Sequence, residues 1–159
     1  EHDVVWETQT RTDVLTSLTG DVATGEITFT SDIVEGELEK AQGCIRSWLT
    51  EDKRFVTHSS PVDNGGKYAV THYNALTSSN GYSLVECVLE TGRKNQIRVH
   101  MADLGHPVVG DSKYGSKEDS MRRLGLHAYM LCFTHPVTGK RMRFETPVPA
   151  CFEKCLNEK

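Results

Sequence analysis

Between Thr91 and His100 the chain places Arg93, Lys94 and Arg98 within six residues, with Asn95, Gln96 and His100 supplying amide and imidazole donors among them. Such a set suits phosphate or carboxylate, because guanidinium groups fork onto paired oxygens and the other donors complete the shell. Lys113 follows, after Gly105-His106-Pro107 and Gly110-Asp111 and just before Tyr114-Gly115. A solvated basic helix start, salt-bridged to nearby acids, is the plainer alternative for the same residues.

These side chains need a frame. Tyr82 to Leu89 alternates as a strand, with Leu84, Glu86 and Val88 on one face and Val85, Cys87 and Leu89 on the other. Gly92 marks a corner. From Asn95 the spacing turns helical: Ile97, His100, Met101 and Leu104 form one stripe, and Gly105 stands where a C-terminal cap belongs. Arg93 and Lys94 therefore open a helix, Arg98 lies one turn in, and backbone donors there add to the pull on an anion. Upstream, Lys67 to Leu76 reads as a strand joined to Tyr82–Leu89 by a turn at 78–81. Leu126 to Phe133 reads as an interior strand, Lys140 to Phe144 as its return, and Cys151 to Leu156 as a short helix.

The chain has 159 residues, 37% hydrophobic and 25% charged, which suits one globular domain. No apolar run reaches the roughly 20 residues that cross a bilayer, and no basic-then-apolar leader is present. The expectation is a cytoplasmic protein without a membrane partner. Starting at Glu1 rather than methionine, it reads as a cut or partial chain. The net charge of −4 argues against a generic nucleic-acid binder, yet residues 1–52 hold 3 basic and 12 acidic side chains, leaving 15 and 10 beyond. That second part, net positive, is able to follow a phosphate backbone. Cysteines at 44, 87, 132, 151 and 155 form no zinc-ligand spacing and read as structural thiols. His100, His106, His127 and His135 likewise form no ligand pair, so no metal is expected.

The run Glu90-Thr91-Gly92-Arg93, Gln96-Ile97-Arg98-Val99-His100, Gly105-His106-Pro107, Gly110-Asp111 and Tyr114-Gly115 resembles the signature of the RluA-type pseudouridine synthases. So do Gly65-Gly66-Lys67-Tyr68, Arg123-Leu124-Gly125-Leu126-His127-Ala128 and His135-Pro136-Val137-Thr138-Gly139. The likeness covers about residues 33–152, corresponding to the C-terminal part of the catalytic domain, and leaves 1–32 as a poorly matching segment. It implies an α+β fold, a mostly antiparallel mixed sheet with few helices.

The same resemblance implies uridine isomerisation in structured RNA, ribosomal or transfer, by a monomer without cofactor. Arg98 corresponds to the arginine that keeps the nucleophilic aspartate ionised. Arg93, Lys94, Asn95, Gln96, His100 and Lys113 become RNA contacts, and Ile97 an apolar wall of the base pocket. Asn95 stands where many relatives carry histidine and cannot titrate. For the nucleophile, the nearest match to the family's His-Arg-Leu-Asp segment is Arg11-Thr12-Asp13, which makes Asp13 the candidate. Leu18, however, replaces a family glycine, and the family tyrosine falls near Thr30. A non-catalytic RNA-binding remnant is the competing reading. A metal-dependent hydrolase built on the histidines and Asp111 is a third, although an aspartate after glycine in such a loop more often caps backbone donors.

Overall fold

The computed structural model describes residues 27–157. Within them, β1 (Ile27–Glu35), β2 (Gln42–Glu51), β3 (Thr57–Ser60), β4 (Lys67–Ser79) and β5 (Tyr82–Leu89) precede α1 (Gln96–Asp103), and β6 (Leu126–Thr134), β7 (Arg141–Glu145) and α2 (Ala150–Asn157) follow. The strands form one antiparallel sheet in the order β3-β2-β4-β5-β1-β6-β7. The boundary drawn at residue 32 thus falls inside β1. Asp13 lies outside the described residues.

Alternation builds two apolar faces. On one, Val34, Val85 and Cys87 meet Ile97 and Met101 of α1 and Val108 of the following loop. On the other, Ile33 packs with Val109 and with Phe152, Cys155 and Leu156 of α2, while Phe29, Val88, Tyr129 and Met130 close the sheet farther along. The β4–β5 connection is shorter than the spacing suggested. Ser78 and Ser79 stay in the ladder, and Asn80 and Gly81, at φ 58° and 83°, make the two-residue turn that antiparallel twist favours. All five cysteines are free thiols. No helix among the described residues is long and apolar enough to cross a membrane.

Two buried ionisable groups are shifted by burial in opposite directions. Asp32 is fully buried on β1; its Oδ2 accepts from Thr30 Oγ1 at 3.2 Å, and Oδ1 has no partner among the described residues. Burial pushes its carboxyl up to about 7, against hydrogen bonds from Cys87 and Thr30 and with help from the Glu86 charge. His100 is equally enclosed, and burial pushes its imidazole down to about 4.

The signs are opposite. Between about pH 4 and 6.5 folded Asp32 holds a proton that the unfolded chain has lost, so its contribution to stability falls as pH rises. Over the same window folded His100 lacks a proton that the unfolded chain holds, so its contribution rises. The two contributions largely cancel in the native protein. Replacing Asp32 with Asn is expected to expose the histidine slope, with unfolding free energy climbing by up to about 1.4 kcal/mol per pH unit across that window. Urea unfolding of both proteins as a function of pH checks this; parallel profiles would contradict it.

Candidate active site

After β5 the chain turns at Gly92 and enters α1, whose eight residues divide by face. Gln96 and His100, one turn apart, point at the sheet. Gln96 Oε1 accepts from Thr91 Oγ1 at 2.7 Å and from the Arg93 amide at 3.1 Å, while its Nε2 donates to Val70 O and Thr71 Oγ1, both at 2.9 Å. Thr71 in turn meets His100 Nδ1 at 2.7 Å, and Ser47 Oγ lies 2.8 Å from Nε2. Thr71 Oγ1, which also accepts from Gln96, and Ser47 Oγ thus occupy one ring nitrogen of His100 each. Gln96 and His100, expected as RNA contacts, both face the sheet. They are 2% and 0% exposed, and their polar atoms fasten the helix to β2 and β4. Ile97, expected as an apolar wall of the base pocket, is buried with Val34, Val85 and Met101 in the core.

Arg98 leaves α1 on the remaining side. Its Nε and Nη2 donate to Asp111 Oδ2 and Oδ1, both at 2.9 Å, and Nη1 donates to Asn95 Oδ1 at 3.0 Å. The guanidinium carbon lies 5.0 Å from the centre of the Tyr114 ring. The Arg98 side chain is 24% exposed and that of Asp111 1%, so the pair has a wet end and a dry end. The hydrogen bond from Arg98 to Asp111 raises the guanidinium further above its ordinary value, against some desolvation. Of the five N–H bonds on Arg98, three are engaged among the described residues; one on each terminal nitrogen is left.

Local backbone makes this geometry. Asn95 takes a left-handed conformation, φ 59°, that asparagine tolerates better than most residues. Its Nδ2 donates to Tyr114 Oη at 3.3 Å, and the Thr57 amide donates to the same oxygen at 3.0 Å. Desolvation pushes the Tyr114 phenol up, but the Thr57 bond, Lys113 and Asn95 outweigh it and bring the group below its usual range. Gly110, at φ +84°, has the Arg123 carbonyl oxygen where a Cβ would sit, so only glycine fits before Asp111. Asp111 makes no capping bond of the kind anticipated; both its oxygens go to Arg98.

The other cations lie on the rim. Arg93 Nε donates to Tyr68 O at 2.9 Å, Lys94 Nζ pairs with Glu51 at 2.8 Å, and Lys113 Nζ donates to Phe55 O at 2.7 Å. Arg93 and Lys94 line an open cleft of about 490 Å³ that Arg98 does not line. His106 donates through Nδ1 to Glu35 O at 2.7 Å, and His135 Nδ1 accepts from the Val137 and Thr138 amides, so these rings serve local backbone. Asp111 and Tyr114 are the site residues that sequence reasoning undervalued; the signal available was their place in the Gly110-Asp111 and Tyr114-Gly115 pairs.

Residues 22–103 match the protein family described as RNA pseudouridylate synthase. The uncharacterized RNA pseudouridine synthase YhcT of Bacillus subtilis is 43% identical over 125 residues, covering 77% of this chain and 41% of that protein. Ribosomal large subunit pseudouridine synthase D of Neisseria meningitidis serogroup A is 36% identical, covering 94% of this chain and 39% of its own length. The chain thus spans about two fifths of the length of these relatives. Among solved structures, human RNA pseudouridylate synthase domain containing 1 superposes with a TM-score of 0.70 at 25% identity, over 82% of this chain and 58% of that one. Human RNA pseudouridylate synthase domain containing 4 gives a TM-score of 0.64 at 19% identity, over 98% and 67%, a likeness of fold alone.

The ion pair carries a stability prediction. Replacing Asp111 with Ala leaves a half-buried guanidinium without its counter-charge, at an expected cost of about 3 kcal/mol, because Arg98 retains some water. The double variant Arg98→Met with Asp111→Leu is expected to recover most of that loss. Urea unfolding of the single and double variants decides it; a single variant as stable as the native protein would contradict the role assigned to the pair.

Proposed function

The chain belongs to the RNA pseudouridylate synthase family, and from that membership we propose that its parent protein isomerises uridine to pseudouridine in structured RNA, ribosomal or transfer. The observation that carries the reading is Arg98, clamped on one edge by Asp111 and keeping N–H bonds on its terminal nitrogens for a second anion.

The chemistry explains why such a group is wanted. Isomerisation breaks the bond between uracil N1 and ribose C1′, turns the base, and joins C5 to C1′; the C5 proton is lost to solvent and N1 takes one up. Positive character develops on the sugar as the first bond breaks, so an ionised carboxylate must attack or stabilise it. In a pocket closed by the base, desolvation favours the neutral acid; a guanidinium at contact distance reverses that preference. Asp111 does not serve as this acid, since it is 2% exposed and both oxygens are engaged. Its part is to hold Arg98 in place and in charge. The attacking carboxylate docks on the free edge, and Asp13 is our assignment for it, on its match to the family segment.

The target base leaves its stack at a cost of a few kcal/mol, while Arg93, Lys94 and Lys113 hold neighbouring phosphates. Asn95 orients Arg98 and Tyr114 and transfers no proton. The reaction rearranges bonds within one nucleoside, so our reading assigns it neither metal nor organic cofactor. We place the protein in the cytoplasm, acting as a monomer on its RNA.

The test is tritium release from RNA carrying 5-tritiated uridine. With the native chain active, Arg98→Met and Asp13→Asn are each expected to lower kcat by at least about a hundredfold while RNA affinity changes little. Release by a folded Arg98→Met protein at the native rate would overturn the assignment. RNA binding by the native chain without any release would favour the RNA-binding remnant instead.

A further inference from the structure

The cleft beside the β5–α1 turn is distinct from the Arg98 cluster and has its own chemistry. Lys67 at the start of β4, Gly92, Arg93 and Lys94 line it opposite Glu51 and Thr57. Three cations thus face one carboxylate, and that carboxylate is already bonded to Lys94 at 2.8 Å. Lys67 is exposed, and Arg93 engages only its Nε, with the Tyr68 carbonyl, among the described residues. The four N–H bonds on the Arg93 terminal nitrogens remain for a ligand. Such a local excess of positive charge stands out in a chain of net charge −4.

Size and steric freedom narrow the occupant. At about 490 Å³ the cleft has the dimensions of a small-molecule site and admits a single nucleotide but not a duplex. Gly92 lines it with no left-handed φ, and a Cβ built there meets nothing within 4 Å. Neither backbone strain nor packing in the free protein therefore calls for glycine; close approach of a ligand would. Two links join it to the presumed chemistry: Thr57 donates its amide to Tyr114, on whose ring Arg98 lies, and Lys94 precedes Asn95, which accepts from Arg98.

We infer that this cleft binds one unpaired nucleotide of the RNA strand next to the uridine presented to Arg98, with Lys67 and Arg93 on its phosphate. The inference rests on the reading of the chain as an RNA-handling protein and adds to it a subsite that selects single-stranded flanking sequence.

The experiment is fluorescence anisotropy of the full chain with a short unpaired oligoribonucleotide and with the same sequence closed in a perfect duplex, each across a salt series. Lys67→Gln and Arg93→Gln are expected to weaken binding of the unpaired strand several-fold and to lower the salt slope by about 0.7 each. Gly92→Leu is expected to weaken it with the slope retained, and to leave duplex binding as it was. Thermal melting identifies variants that keep the native fold; Lys67 is exposed, so its variant serves if the loop substitutions unfold the protein. Native affinity and native slope in a folded Lys67→Gln protein would overturn the inference, as would equal losses on duplex and unpaired strand. Tritium release measured alongside separates the two readings: release with unaltered binding defeats the cleft alone, whereas altered binding without native release defeats the catalytic assignment alone.

Discussion

A guanidinium can organise chemistry only if its own position is not negotiable, and here that position is set by a carboxylate that water scarcely reaches. Asp111 holds the Nε edge of Arg98 in a two-point contact, and the side chain of Asp111 is 1% exposed while that of Arg98 is 24% exposed. The asymmetry matters. A pair buried at both ends would be an electrostatic liability with no outlet, and a pair exposed at both ends would be screened and mobile. One dry partner and one wet partner give a fixed charge that still reaches outward. Around it, hydrogen bonds among Asn95, Tyr114 and Thr57 tie the start of α1 to β3 and to the loop that carries Asp111.

The helix itself shows a division of labour within five residues. Gln96 and His100 bind sheet, Ile97 and Met101 bind core, and Arg98 is left for the site. This division explains both what sequence made legible and what it hid. The β4–β5 hairpin and α1 were readable because Asn80-Gly81 and the Ile97, Met101, Leu104 stripe are local signals, each complete within a few residues. The strands β4, β5, β6 and β7 were likewise foreshadowed by alternation, and the mostly antiparallel sheet by the family resemblance. The roles of Gln96 and His100 were not, because an amide or imidazole has the same donors whether it serves a ligand or a neighbouring carbonyl. Burial separates the cases, and burial is a property of the assembled sheet. The partnership of Arg98 with Asp111 was hidden for a related reason: it spans a turn whose direction depends on Gly110 and on the carbonyl of Arg123 packed against it.

The resemblance and the physical reading also correct each other. Family likeness pointed to Arg98 as the centre of the segment and assigned its polar neighbours to RNA by analogy of motif. Distances within the fold reassign those neighbours to architecture and move attention to the rim, where Lys67, Arg93 and Lys94 surround open space. Recognition and fastening are thus interleaved along one short run of sequence, and neither can be inferred from residue type alone.

The sheet order has a consequence for how the molecule is made. β1, the first strand described, is hydrogen-bonded on one side to β5 and on the other to β6, so it lies in the middle of the sheet although it is early in the chain. During synthesis this strand cannot meet β5 until residues 82–89 have left the ribosome, nor β6 until residues 126–134 have followed. Before β6 follows, β1 to β5 can close among themselves, leaving an open edge on β1 that a foreign strand could occupy. The interior position of β1 therefore makes the interval before β6 emerges a stage at which this sheet offers an unpaired edge.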